Sequence, residues 1–188
     1  MAQGSILVIS GPSGSGKSSI VRRLQRDPRV VFSISATTRA PRQGEIDGVH
    51  YHFLKPSQFR ERVEHGDFVE WAEVHGNLYG TLRRPMEETV AAGKIYLVEI
   101  DVQGALQLKE LGVRASYVFV APPRIEDLRA RLTERGTDPP EVNERRLLKA
   151  YDEMEERHRF DFVIVNDDLD RAVAEVRRIA GLNGLAET

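Results

Sequence analysis

The sequence predicts an α/β fold: a five-stranded parallel sheet flanked by helices, with a mixed α/β segment inserted into it. Three observations carry this. Five short runs rich in β-branched residues recur along the chain, apolar at consecutive positions, as strands buried on both faces require. Helical apolar spacing separates most of them, the alternation that builds an open parallel sheet. One interval between runs, residues 35–94, far exceeds the roughly one dozen residues of a crossover, so it folds as a unit of its own.

The elements follow in order. Ile6–Ile9 is the first strand, and Ser18–Arg26 follows with Ile20, Val21 and Leu24 at helical spacing. Val30–Ile34 is the second strand. The inserted segment mixes strand-like alternation (Tyr51, Phe53 and Phe68–Trp71) with helical stretches at Ser57–His65 and Arg84–Ala92. Ile95–Ile100 and Tyr117–Val120 are the third and fourth strands. Pro123 and Arg124 lead into a helix with Ile125, Leu128 and Leu132 on one face. Pro139 and Pro140 open another, behind Asp138 as N-cap, because proline is tolerated in a first turn. Phe162–Val165 is the fifth strand and Leu169–Leu182 the last amphipathic helix. All of this fits one domain over about residues 4–184.

Composition excludes several classes. Of 188 residues, 40% are hydrophobic and 30% charged, enough to bury a core and remain soluble. The net charge of −2 leaves no basic excess for binding nucleic acid. The absence of cysteine rules out disulfides, thiolate metal sites and a cysteine nucleophile. No apolar run approaches the ~18 residues of a membrane span, and Met1–Gly4 carries no charged leader. A soluble, cytoplasmic protein is expected, with no membrane partner. The five histidines (His50, His52, His65, His75, His158) form no metal-binding pattern. His50 and His52 are expected on one strand face, all five are read as structural or solvated, and Trp71 and the phenylalanines as packing residues.

One motif carries explicit chemistry. Gly11-Pro12-Ser13-Gly14-Ser15-Gly16-Lys17-Ser18 matches G-x-x-x-x-G-K-[ST], after a predicted strand and before a predicted helix. Glycines let backbone N–H groups converge on phosphate oxygens, and the helix N-terminus adds partial positive charge. Lys17 is expected at the β- and γ-phosphates and the Ser18 hydroxyl on Mg²⁺. This motif specifies a nucleoside triphosphate without specifying the reaction. The stretch Ser35–Glu45 adds hydroxyls and two arginines, Arg39 and Arg42, in a loop shaped by Pro41 and Gly44. Guanidinium forks match phosphate oxygens, so two of them beside Tyr51 can bind a second phosphate; taken alone the stretch reads first as a solvated basic loop, and the phosphate loop upstream is what shifts the reading toward a kinase of small phosphorylated substrates.

These stretches, with E-W-A…G-N-x-Y-G-T at residues 70–81, I-D-V-Q-G at Ile100–Gly104, Ala121-Pro122-Pro123, R-L-x-x-R-G at 131–136 and V-N-D-D at 165–168, resemble the guanylate kinases of the nucleoside-monophosphate kinase superfamily. The resemblance spans Ile6 to about Leu182. It implies a P-loop kinase core (about 4–34, 94–122 and 160–184), a GMP-binding subdomain (about 35–93) and a helical lid (about 123–159). It implies that Arg39, Arg42, Tyr51 and Tyr79 hold the GMP phosphate, and that Ser35, Glu70 and Thr81 read guanine with Asp101 close by. Base chemistry agrees: a carboxylate can accept from guanine N1–H and N2–H₂, and a hydroxyl can donate to O6, whereas AMP leaves the carboxylate unpaired.

By the same resemblance Arg131, Arg135 and Arg146 of the lid engage phosphate on closure, and Asn166 lies near adenine. Glu99 stands where the family often has Asp. Glu99 and Asp101 bear on the magnesium shell through water or, for Asp101, on guanine; the sequence leaves both open. Arg145 and Lys149 read as a salt-bridged helix face with Glu141, Glu144 and Glu153. The implied reaction is ATP + GMP ⇌ ADP + GDP with Mg²⁺, dGMP as a further acceptor, and a monomer or homodimer. A non-catalytic binding module is the competing reading, against which the intact Lys17, Arg39 and Arg42 argue; a P-loop kinase for another acceptor is the other, against which the Glu70 and Thr81 block argues.

Overall fold

The computed structural model describes residues 4–74, 76–128 and 140–182, the side chains of Val74, Pro140–Asn143, Arg145 and Arg146 excepted. Its main sheet has five parallel strands in the order β2-β7-β1-β8-β9. These are β1 (Ser5–Ser10), β2 (Val30–Phe32), β7 (Ile95–Glu99), β8 (Ser116–Ala121) and β9 (Phe162–Val165). The central strands are apolar throughout because both faces are covered. Leu7 and Ile9 of β1 pack against α1 (Lys17–Leu24) and α6 (Leu169–Ile179) through Ile20, Leu24, Val173 and Val176. Val8 turns the other way, into a layer with α3 (Arg83–Ala91) and α4 (Val102–Glu110) through Val90, Val102, Ala105 and Leu108.

Two expectations about strands need correction. Phe162–Val165 is not buried on both faces: as the edge strand it leaves Phe162, Val163 and Val165 40–47% exposed, and only Ile164 reaches the core. The second strand stops at Phe32 rather than Ile34, because two residues later the chain enters the other sheet.

That second sheet has four strands in the order β4-β3-β6-β5: β3 (Ala36–Thr37), β4 (His52–Phe53), β5 (Phe68–Val74) and β6 (Asn77–Leu82). The β5–β6 pair is antiparallel, as is β3–β6. Stacked Phe59 and Phe68 rings fill the space between this sheet and α2 (Pro56–Glu64), with Ala36 and Leu82. The sheet is tied to the core by β5: Val69 joins the α3–α4 layer, and Gln107 of α4 donates to the Trp71 carbonyl. The expected helices at Ser57–His65 and Arg84–Ala92 are present one residue earlier. Trp71 is 42% exposed and lies on an outer depression rather than in the core. His50 sits in the turn before β4, so it does not share a strand face with His52.

The segment after β8 pairs its own small core. Leu128 packs on Leu147 and Ala150 of α5 (Pro140–Glu155), with Ile125 beside them. Asp138 and Leu132 lie outside the described residues. No described helix is long and apolar enough to cross a membrane.

Candidate active site

All five strands of the main sheet end on one edge, where open α/β sheets bind their ligands. A cleft of about 590 Å³ opens there. Its walls carry Gly11, Gly14, Lys17 and Ser18 on one side, Ser35, Arg42, Tyr51, Glu70 and Tyr79 on the other, and Glu99 and Asp101 between them.

The loop after β1 is built as its motif demands. Gly16 caps α1 at φ +93°, and a Cβ there would sit 2.2 Å from the Asn166 amide nitrogen. Lys17 folds over the loop, its Nζ donating to the carbonyls of Gly11 (2.6 Å) and Pro12 (2.8 Å). Asn166, at the end of β9, donates from Nδ2 to the Ser15 carbonyl at 2.8 Å and is buried at 8% exposure. The residue expected near adenine is therefore fastened to the phosphate loop's backbone. The Ser18 hydroxyl donates to Glu99 Oε1 at 2.7 Å, across 81 residues of sequence. A hydroxyl beside a carboxylate is a hard oxygen pair that suits Mg²⁺, which keeps waters and borrows substrate phosphates rather than needing a full protein cage. Among the described residues there is no cluster of three His, Asp or Glu side chains that could hold a metal.

The acceptor side is a polar network. Arg39 makes a bidentate pair with Glu45, both contacts at 2.9 Å, and its guanidinium lies 5.5 Å from the Tyr51 ring centre. Arg39 thereby holds the Glu45 carboxyl down to about 2. Tyr51 and Tyr79 meet edge to face at 6.1 Å, and burial raises the Tyr51 hydroxyl. The Arg42 side chain lines the cleft, while its backbone N–H donates to Glu45 at 2.6 Å. Glu45 thus anchors both arginines, a role the sequence reading missed; the charge match six residues from Arg39 was its only signal.

Glu70 accepts from the Thr81 hydroxyl at 2.6 Å and the Thr81 N–H at 3.1 Å. It is 5% exposed, and burial raises its carboxyl to about 7, with Asp101 adding to the rise and Thr81 opposing it. The Thr81 hydroxyl, expected to donate to a base, gives its hydrogen to Glu70 here and leaves the Ser35 hydroxyl on the cleft wall. Asp101 caps α4, its Oδ1 accepting from the Gly104 N–H at 2.9 Å.

Among the cleft residues that were not expected there, two come from α5. Lys149 and Glu153 of α5 line the cleft, although their spacing suggested a solvated face. Arg131 and Arg135 lie outside the described residues, as does the Arg146 side chain.

A phosphate loop opening onto a second pocket that holds arginines, tyrosines and a buried carboxylate defines the class: a P-loop kinase that phosphorylates a small phosphorylated acceptor. Comparison with known proteins narrows this. The guanylate kinase family model matches residues 3–181. The chain is 49% identical to the guanylate kinase of Chelativorans sp. (strain BNC1) over 97% of its length and 85% of that protein's. It is 48% identical to that of Synechococcus sp. (strain CC9311), covering 91% of this chain and 90% of that one. The crystal structure of guanylate kinase from Anaplasma phagocytophilum superposes with a TM-score of 0.80 at 32% identity, over 99% of this chain and 89% of that one. The chain belongs to the guanylate kinase family.

Proposed function

We propose that the cleft transfers the γ-phosphoryl group of ATP to GMP with a division of labour between its two walls. As a guanylate kinase the chain is an ATP:GMP phosphotransferase, and the reaction balances as ATP + GMP ⇌ ADP + GDP. The observation that carries the assignment of this cleft is that the phosphate loop and the buried Glu70 face one continuous space.

On the donor wall the loop amides between Gly11 and Ser18 hold the triphosphate, and Lys17 leaves the Gly11 and Pro12 carbonyls for the transferring phosphoryl group. Ser18 would hold Mg²⁺, with Glu99 beside it reaching the ion through water. When bound, that ion supplies charge neutralisation at the phosphate oxygens. On the acceptor wall Arg42, Tyr51 and Tyr79, with Arg39 against Tyr51, hold the GMP phosphate, and Ser35, Glu70 and Asp101 face guanine, Glu70 held by Thr81. The attacking phosphate oxygen is already largely ionised, since its second pKa is near 6, so no side chain need act as a general base. Catalysis is positioning and charge stabilisation.

Residues 35–93 serve as the GMP-binding subdomain and 123–159 as a lid that excludes water, with Arg131, Arg135 and Arg146 delivered to phosphate and Asn166 on the ATP side. Because these contacts address base and phosphate, dGMP is accepted as well. The enzyme works in the cytoplasm.

An ADP-release assay with Mg²⁺ and ATP, offering GMP, AMP, CMP, UMP and dTMP in turn, tests this. Magnesium-dependent turnover with GMP alone is expected. Turnover with AMP or a pyrimidine nucleotide would keep the phosphate chemistry and overturn Glu70 as base reader.

A further inference from the structure

Lys149 stands inside the nucleotide cleft. Its Nζ donates to Asp101 Oδ2 at 3.3 Å and lies 3.6 Å from Glu153 Oε1, one turn further along α5. The other Asp101 oxygen is taken by the Gly104 N–H, so the carboxylate is gripped from both sides. Glu153 is 9% exposed and bears on Lys149, Lys17 and Asp101. This cation therefore reaches from α5 to the core strand end beside the acceptor pocket.

Glu70 and Asp101 both line the cleft, and the charge of Asp101 adds to the burial that raises the Glu70 carboxyl. No cation among the described residues pairs with Glu70, whose partner is Thr81. A positive charge beside Asp101 offsets the repulsion between two acidic groups that face one space. Lys149 is placed to do so from outside the acceptor sheet.

We propose that Lys149 is a positioning residue for the acceptor: it fixes Asp101 and balances its charge, so that Asp101 and Glu70 together present acceptors to guanine. This rests on the reading of the cleft as the ATP:GMP site. Recognition of the base then depends on α5 as well as on the sheet that carries Glu70.

Kinetics of Lys149→Met, which keeps the apolar stem and removes the charge, test this against Lys149→Arg. The Met variant is expected to raise KM for GMP about tenfold, with KM for ATP and kcat within about twofold, as loss of one charge-assisted contact implies. The Arg variant is expected within about threefold of the parent, and in an Asp101→Asn background the Met substitution is expected to have little further effect. An unchanged or lowered KM for GMP, an equal rise for ATP, or no recovery with Arg would overturn the proposal. Absence of GMP turnover in the unsubstituted protein would instead overturn the assignment of the cleft.

Discussion

The two walls of the cleft are made of different material. On the donor wall the ligand meets backbone: loop amides held in shape by glycine geometry at Gly16 and by the Asn166 bond to the Ser15 carbonyl. The acceptor wall presents side chains, Arg42, Tyr51, Glu70 and Tyr79, backed by pairs already made, Arg39 to Glu45 and Thr81 to Glu70, with Lys149 to Asp101 beside them. Backbone amides recognise phosphate and are blind to the base beyond it. A network of paired side chains can select a base, because a wrong ligand leaves its members unsatisfied. Generic donor binding and specific acceptor binding thus follow from which part of the chain faces the cleft.

Substitutions on each wall separate the two. Lys17→Ala removes the donor wall's charged side chain; kcat is expected to fall about 10²–10³-fold with an unchanged melting temperature, and near-normal turnover would deny Lys17 its role. Glu70→Gln strikes the acceptor wall. KM for GMP is expected to rise about 10–100-fold with KM for ATP nearly constant, and parallel changes in both would erase the distinction between the walls. Asn166→Ala leaves the Ser15 carbonyl unpaired, which costs about 1–3 kcal/mol locally. A rise of several-fold in KM for ATP without one for GMP is expected, measured by initial rates.

The smallest effect lies away from both walls. Asp27 pairs with Arg29 at 2.8 Å and Arg177 at 3.2 Å, which lowers its carboxyl from 3.8 to about 2, the Arg29 hydrogen bond foremost. A carboxylate lowered in the folded state adds stability above its unfolded value and loses it as pH falls through the folded one. Asp27→Asn should lower the neutral-pH melting temperature by about 2–4 °C. The gap to the parent should close as pH drops from 3.8 toward about 2; a gap independent of pH would mean the pair contributes through packing alone.

What was legible in the sequence follows the same division. The phosphate loop is eight contiguous residues, and the runs Ile6–Ile9 and Ile95–Ile100 sit on a sheet covered from both sides, so local pattern suffices for both. The stretches that carry Tyr51 and Glu70 show their alternation, but the strands around Ser35 and Thr81 do not announce themselves. β3 has two residues, and β6 is interrupted by Gly80, where a Cβ would fall 2.7 Å from the Phe68 ring. α4 is quiet for a related reason: Gly104, Ala105 and Leu108 are all buried, so it shows no clear polar face. Family resemblance supplied the roles of Glu70 and Thr81, but the Lys149–Asp101 contact spans 48 residues between separate elements and leaves no local trace. The exposure of Phe162, Val163 and Val165 was hidden because an edge strand and a central one share one apolar pattern.

The bond from Asn166 to Ser15 has a consequence for how the molecule is made. The two residues are 151 positions apart, and Asn166 is delivered by β9, the last strand to leave the ribosome and the outermost to join the sheet. The phosphate loop precedes by 151 residues the amide that braces it. A nascent chain halted before Phe162 carries the whole loop motif without the amide that secures it. Parallel sheets assemble through distant pairings and therefore slowly. The loop's backbone is thus braced only once β9 has joined the sheet, so its final shape depends on a contact made across almost the whole described chain.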